Sequence, residues 1–270
     1  FFELLLPSVR ALALPRPTHM TEAPAPLRFI PLPGLPEVEP GTDLGEMIRE
    51  VAKSAGVSLA GNIVVVAQKI ISKAEGRLVR LENVSPSAEA LEIAEAHDRD
   101  PRQVQIVLDE SVRIVRRGHN VLITETKHGF VCANAGVDLS NAPGEDIAVL
   151  LPLDPDASAR TLHEDLSRSG AHTPVVITDT FGRPWRDGLV DVALGSAGLA
   201  PLRDDRGSRD RAGRELLVTQ PATADQLAAA AGLLMWKSAG IPVVIVEGFP
   251  FEGDGGVKDL LRDPQTDLFR

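Results

Sequence analysis

The sequence holds a single cysteine, Cys132, which excludes an internal disulfide and a cysteine-based zinc site. A reduced cytoplasm is the simplest compartment for such a chain. No apolar run reaches the ~20 residues that span a bilayer, so no transmembrane helix is expected. Basic residues are in deficit: 28 Lys and Arg stand against 38 Asp and Glu, for a formal net charge of -10. Non-specific nucleic-acid binding needs clustered Lys and Arg to release counterions, so nucleic-acid partners are not expected. The short nucleotide and hydrolase signatures are missing too. There is no G-x-x-x-x-G-K-[ST], no G-x-G-x-x-G after a strand, no H-E-x-x-H and no G-x-S-x-G, and "HEDL" at His163 lacks a second histidine.

What is present is an ordinary globular composition, 43% hydrophobic and 24% charged over 270 residues, enough for one large domain or two small ones. The opening "FFELLLPSVRALALPRPTHM" does not read as a secretory leader, because Glu3 stands where positive charge belongs and Pro7, Arg10 and Pro15 interrupt the apolar stretch. Residues 1–26 are expected to form an unstructured extension with Met20 as the natural start; the alternative is an added docking strand or helix.

Further along, six prolines between Pro24 and Pro40 surround Phe29-Ile30, which reads as an edge strand and irregular loop. Asp43 and Glu46 in capping-box spacing open a helix that closes at Gly56. "NIVVVAQKI" from Asn62 reads as a strand. A helix capped by Ser85 with Pro86 at its first position follows, then a second from Pro101 that the pattern carries to Arg117. Two β-rich runs around Lys127-His128-Gly129 predict a hairpin. Ile147 to Leu151 predicts a strand, and "DPDASARTLHEDLSRSG" a helix closing at Gly170. Val175 to Ile177 reads as a strand buried on both faces that ends at Asp179. The polar loop Arg203 to Arg214, strand-like "LLVTQ", a helix from Thr223 and the strand "PVVIVEG" complete the chain. The fold class is mixed α/β (α+β), and the internal hairpin excludes a plain parallel doubly wound sheet.

Three stretches carry groups for chemistry. Lys69 and Lys73 follow a buried strand, where ammonium groups suit phosphate oxygens; the alternative is two solvated lysines on a turn. In "NAGVDLSN", Asp138 could ligate a hard cation and Asn141 could read a polar ring edge; the alternative is an Asx-rich turn bonded to its own backbone. In "VVITDTFGRPWRDG", Asp179 and Thr180 offer oxygens to a second cation, Arg183 and Arg186 offer charge to phosphate, and Trp185 an apolar cover. The alternative is a surface loop in which Arg pairs with Asp187.

Read together, "GLPEVEPGTDL", "VVVAQKIISKAEGRLV", "ANAGVDLSN", "LLPLDPDASA", "VVITDTFGRPWRDG" and "DRAGRELLVT" occur in the order of the coenzyme F(420)-0:L-glutamate ligase, or gamma-glutamyl ligase, family. The chain resembles that family over roughly Arg28 to Arg270, so residues 27–270 are expected to be the ligase domain, either one unit or two intimately packed subdomains. The resemblance implies a cytoplasmic enzyme with mixed sheets and an intertwined homodimer. It uses GTP and Mg²⁺ or Mn²⁺, with a monovalent cation as a further candidate, to add L-glutamate to the tail of the deazaflavin F(420)-0. GTP phosphorylates the tail carboxylate, and the glutamate amine attacks the acyl phosphate; metal ions stabilise charge on the transferring phosphoryl.

By motif, the resemblance places Leu35, Pro36, Glu37 and Val38 in a GTP-contacting loop, and Gln68, Lys69 and Lys73 at phosphate and base. It makes Asp138 a metal ligand, Asn141 a GTP contact, and Asp179 and Thr180 metal ligands; Asp138, Asp179 and Lys73 carry the catalysis. Gln68 and Lys69 depart from the small hydroxyl residues of archaeal members, Trp236 from an expected glycine, and Lys237 from an acid that touches metal, although actinobacterial relatives share the lysine. Some of those relatives continue into a flavin-binding reductase domain after "DLF"; this chain, with "DLFR" from Asp267, is expected to be a stand-alone or trimmed ligase. The rivals are a metal-dependent nucleotide phosphohydrolase and a non-catalytic nucleotide-binding module.

Overall fold

A computed structural model describes residues 25–118, 121–138, 146–168 and 170–268; the expected extension 1–26 lies almost wholly outside them. In chain order the elements are β1 (Arg28–Pro31), α1 (Leu44–Ala55), β2 (Ile63–Ala67), α2 (Gln68–Ala74), β3 (Leu78–Arg80), α3 (Ala88–His97), α4 (Pro101–Asp109) and β4 (Ser111–Gly118). There follow β5 (Val121–Thr126), β6 (Val131–Ala133), β7 (Ile147–Val149), α5 (Pro155–Leu166), β8 (Val175–Arg183), β9 (Arg186–Ala197), α6 (Thr223–Gly232) and β10 (Val243–Glu247). Mixed α/β architecture is therefore correct. Among the described residues no helix is long and apolar enough to cross a membrane.

A five-stranded sheet ordered β1-β10-β2-β8-β9 forms the centre. Only β2 and β8 run parallel; the other pairs are antiparallel. Ile63 to Val66 and Val175 to Ile177 are fully buried because helices cover both faces, and continuous β-branched runs are what such strands require. Val64, Val66, Val175 and Ile177 pack with Ile48 of α1 and Leu162 of α5. Ile63, Val65 and Val176 meet Leu227 and Ala228 of α6 on the other face. A smaller unit, the β4-β5-β6 sheet under α3 and α4, adjoins the two-stranded β3-β7 ribbon.

The caps of α1 are as the sequence indicated: Asp43 accepts from the Glu46 amide at 2.8 Å, and Gly56, at φ 69°, turns its N–H to the Ala52 and Lys53 carbonyls. Other boundaries differ. The helix expected to run to Arg117 stops at Asp109, because Val112, Ile114 and Val115 are β-branched and the segment finds a ladder partner in β5. The cap of α3 is Ser87, which accepts from Ala90, rather than Ser85. The strand from Asn62 ends at Ala67, where α2 begins at once. "LLVTQ" forms no strand; Leu217 and Val218 are 73% and 86% exposed. The strand expected to end at Asp179 continues to Arg183, because β9 pairs with it along its whole length.

Candidate functional site

The site grows from the abrupt change of direction at Ala67. β2 and β8 pair in parallel as far as Ala67 and Thr178, so α2 and Asp179 emerge together at the carboxyl ends of the one parallel pair. That is the edge at which open α/β sheets bind ligands. Two turns of helix then tie two loops to this edge. Lys69, in the first turn of α2, places Nζ 2.5 Å from Asp138 Oδ2. Lys73, one turn on and almost fully buried, pairs with the exposed carboxylate of Glu37. Val38 anchors the Glu37 loop by burying its side chain in the core, with Leu35 packed partly against the same cluster and Pro36 exposed.

Asp138 is held by a reciprocal backbone exchange with Val149, at 3.0 and 2.8 Å. Its loop turns tightly: Asn134, Ala135 and Gly136 all adopt left-handed φ, at 50°, 54° and 69°. Asn134 stabilises the turn by accepting from the Leu122 amide and from Arg99, contacts that tie the turn to β5 and to the segment after α3 rather than to its own backbone. Asn141 lies outside the described residues.

Asp179 is the electrostatic centre. Burial pushes its carboxyl up to about 6, the charges of Asp138 and Asp191 push the same way, and the Thr180 amide and Lys69 pull it down. Desolvation and like charge raise the cost of its negative charge, which a bound cation would offset. Beneath it, burial and then the Asp179 charge push the Cys132 thiol up to about 12, which leaves the thiol protonated and unreactive.

Neighbouring residues of a strand leave on opposite faces. The alternation that sends Val175 and Ile177 towards α1 and α5 sends Asp179 the same way, whereas Thr180 turns towards α6 and donates to Asp191 Oδ1 at 2.6 Å. Asp191 had no signal in the sequence beyond "LVDVALGSAG". Only the β8-β9 register, which pairs Thr180 with Asp191, reveals it.

Other candidates stand elsewhere. Gln68 is 1% exposed and accepts from Ser72 Oγ at 2.8 Å, a contact internal to the helix. Arg183, Trp185 and Arg186 form the tip of the β8-β9 hairpin, with Trp185 83% exposed at φ 57°. Arg183 donates to the Asp187 carbonyl at 3.0 Å. At about 3.3 Å of rise per residue the tip begins roughly 13 Å beyond Asp179, so these residues do not line the carboxylate cluster of their own chain. Trp236 is largely exposed and donates its indole N–H to the Leu233 carbonyl; Lys237 opens a short 3-10 turn just after it.

Among the described residues, no three His, Cys, Asp or Glu side chains gather into a ready-made metal cage. The donor set is two carboxylates that sense each other, with an ammonium already on one of them. That chemistry fits a hard cation that uses one or two carboxylates and completes its shell with substrate phosphates.

Fold and site thus define a class: a mixed α/β protein in which the parallel strand pair β2-β8 ends in a cluster of aspartates and lysines. The comparisons with known proteins specify it. Residues 34–248 match the family described as F420-0:Gamma-glutamyl ligase. The chain is 46% identical over 250 residues to the Coenzyme F420:L-glutamate ligase of Methanothermobacter thermautotrophicus, spanning 90% of this chain and 99% of that protein. It is 44% identical over 251 residues to the protein of the same name from Methanopyrus kandleri (90% and 98% covered), and 45% over 214 residues to that from Methanocaldococcus jannaschii (78% and 85%). The chain belongs to the F420-0:gamma-glutamyl ligase family.

Proposed function

We propose that this chain forms the γ-glutamyl amide bond of the deazaflavin coenzyme: it adds L-glutamate to F(420)-0, using GTP and Mg²⁺ or Mn²⁺. The observation that carries the reading is the meeting of Glu37, Lys69, Lys73, Asp138 and Asp179 around α2, from four separate stretches of chain. A carboxylate is a poor electrophile until it carries a good leaving group, so phosphorylation of the tail must precede attack by the glutamate amine. Lys69 and Lys73 supply point charges for the triphosphate. Their ammonium groups rest on Asp138 and Glu37 and re-aim when phosphates enter. Asp138 and Asp179 would hold the divalent cation, which when bound spreads the charge that develops on the transferring phosphoryl group.

The deciding experiment incubates the protein with F(420)-0, GTP, Mn²⁺ and L-glutamate and reads product masses, with each component omitted in turn. A mass increase of one or more glutamyl units, dependent on all four, is expected. Phosphate release without F(420)-0 or glutamate would mark a phosphohydrolase, and GTP binding without product a non-catalytic module. Asp138→Ala and Asp179→Ala should each lower turnover by at least about a hundredfold; full turnover in both would sink the assignment.

A further inference from the structure

We infer that Arg99 is an anion anchor of the site: its guanidinium takes a carboxylate or phosphate group of L-glutamate or of F(420)-0, apart from the triphosphate. Among the described residues the partly buried arginines are Arg49, Arg77, Arg99 and Arg102. The others rest on carboxylates, Arg49 on Glu46 at 2.6 Å, Arg77 on Glu110 at 2.8 Å and Arg102 on Asp100 at 2.6 Å. Arg99 does not: its side chain donates from Nη1 to the neutral Asn134 Oδ1 at 3.0 Å. The acids beside it in sequence are engaged or turned away. Asp100 is taken by Arg102 and by the first amides of α4, and Asp98, the left-handed C-cap of α3, is exposed. Burial lowers the pKa of Arg99 from its ordinary value, and no carboxylate among the described residues opposes it. A desolvated cation without a counterion is costly, and a chain with 38 acids against 28 bases does not lack carboxylates to place there.

The anchor stands beside the carboxylate cluster. Asn134 opens the left-handed turn that leads to Asp138, and with 3.8 Å between successive Cα atoms the two residues lie within about 15 Å of each other. Ala135 of that turn is buried against α3 and α4, the helices that flank Arg99 in sequence. The proposed reaction leaves charge to be recognised there. L-glutamate attacks through its amine, so its carboxylates stay ionised, while Lys69 and Lys73 serve the triphosphate. A guanidinium presents its N–H donors in a planar fork that matches a carboxylate or phosphate bidentately, and Asn134 occupies only one of its nitrogens.

The inference rests on the ligase reading, and the test distinguishes the two. Isothermal titration calorimetry measures binding of L-glutamate and, separately, of F(420)-0, each with GDP and Mn²⁺ present, and of GDP with Mn²⁺ alone. The proteins are wild type, Arg99→Gln, Arg99→Lys and Asn134→Gly, with a thermal melt of each. Asn134→Gly keeps the left-handed backbone and removes the carbonyl on which Arg99 rests. Arg99→Gln should weaken L-glutamate or F(420)-0 about tenfold or more. Arg99→Lys should weaken it less, because it keeps the charge and loses the fork, and Asn134→Gly by no more than about threefold. GDP binding should not change. The ligand that weakens identifies the source of the anion, and in turnover its KM should rise with kcat nearly constant. Where Arg99→Gln does not fold, the same loss, confined to one ligand, is read in Arg99→Lys. Unchanged binding of both ligands would overturn the inference, as would a wild type that binds neither. So would an equal loss in Asn134→Gly, since Arg99 would then only brace the turn. Binding that depends on Arg99 in a protein that forms no product would sink the ligase reading and leave the inference standing.

Discussion

At the scale of single residues, Asp179 is held against its own preference. An ordinary aspartate ionises near 3.8; in the fold this one waits until about 6. The unfolded chain therefore gives up its proton first, and as pH rises from about 4 to 6 the native state pays for a charge that it would rather keep neutral. Above that window the destabilisation is complete, at most about 3 kcal/mol by linkage. Asp179→Asn removes the charge while keeping the shape. In the absence of metal it should melt several degrees above wild type at pH 8 and level with it near pH 4, as followed by circular dichroism, while losing Mn²⁺ binding. A variant that melts with the wild-type pH profile would show that Asp179 carries no such strain. The residue types of this site were legible in the sequence: acids and lysines after apolar runs. Their partners were not, since Lys69 with Asp138 and Lys73 with Glu37 join positions 69 and 36 residues apart, and only tertiary folding creates them.

At the scale of elements, strong local signals were readable and weak ones were overridden. Caps fixed α1 and apolar runs fixed β2 and the start of β8, because each is encoded by a few adjacent residues. The two-turn α2 was not readable: seven residues carry too little periodicity to separate a helix from the strand before it. β4 was read as helix because its β character is realised only through pairing with β5. The polar residue that welds elements together was also silent. Buried Asp156, near the start of α5, accepts from the amides of Ser196 at 3.0 Å, Val257 at 2.7 Å and Lys258 at 3.3 Å. It thereby joins a helix, the central sheet and the C-terminal segment. Nearby, α5 approaches β9 so closely that a Cβ at Gly195 would stand 2.2 Å from the Pro155 carbonyl oxygen. Asp156→Ala leaves at least two buried N–H groups without acceptors, a cost of about 3 kcal/mol, which should lower the melting temperature by about 10 °C. The KM for GTP at low temperature should not change, since Asp156 lies outside the carboxylate cluster.

At the scale of the whole molecule, the arm between Leu202 and Ala222 leaves two adjacent apolar side chains in solvent. From the bridge between Leu202 and Ala222, residues 203–221 fold back on themselves. Arg203, Asp205 and Gly207 donate to the carbonyls of Pro221, Thr219 and Leu216, and Leu216 donates back to Ser208. Charged residues on this arm pair mainly among themselves, Arg203 with Asp205 and Arg206 with Asp204, yet Leu217 and Val218 face outward. A self-satisfied arm that keeps adjacent apolar side chains in solvent is stable only at a cost, unless another surface covers them. A homodimer would supply that surface: if each copy offered the same arm to its partner, one two-fold contact would cover both. Leu217→Asp with Val218→Asp should convert a dimer to a monomer by light scattering while leaving the melting of each chain nearly unchanged, since neither side chain is buried within it. An unaltered mass would place the interface elsewhere, and a monomeric wild type would rule out the expected homodimer. The exposed hairpin tip of Arg183, Trp185 and Arg186 gives the same experiment a second reading. Should a partner chain bring its own carboxylate cluster to them, a monomeric arm variant would lose turnover as well as mass.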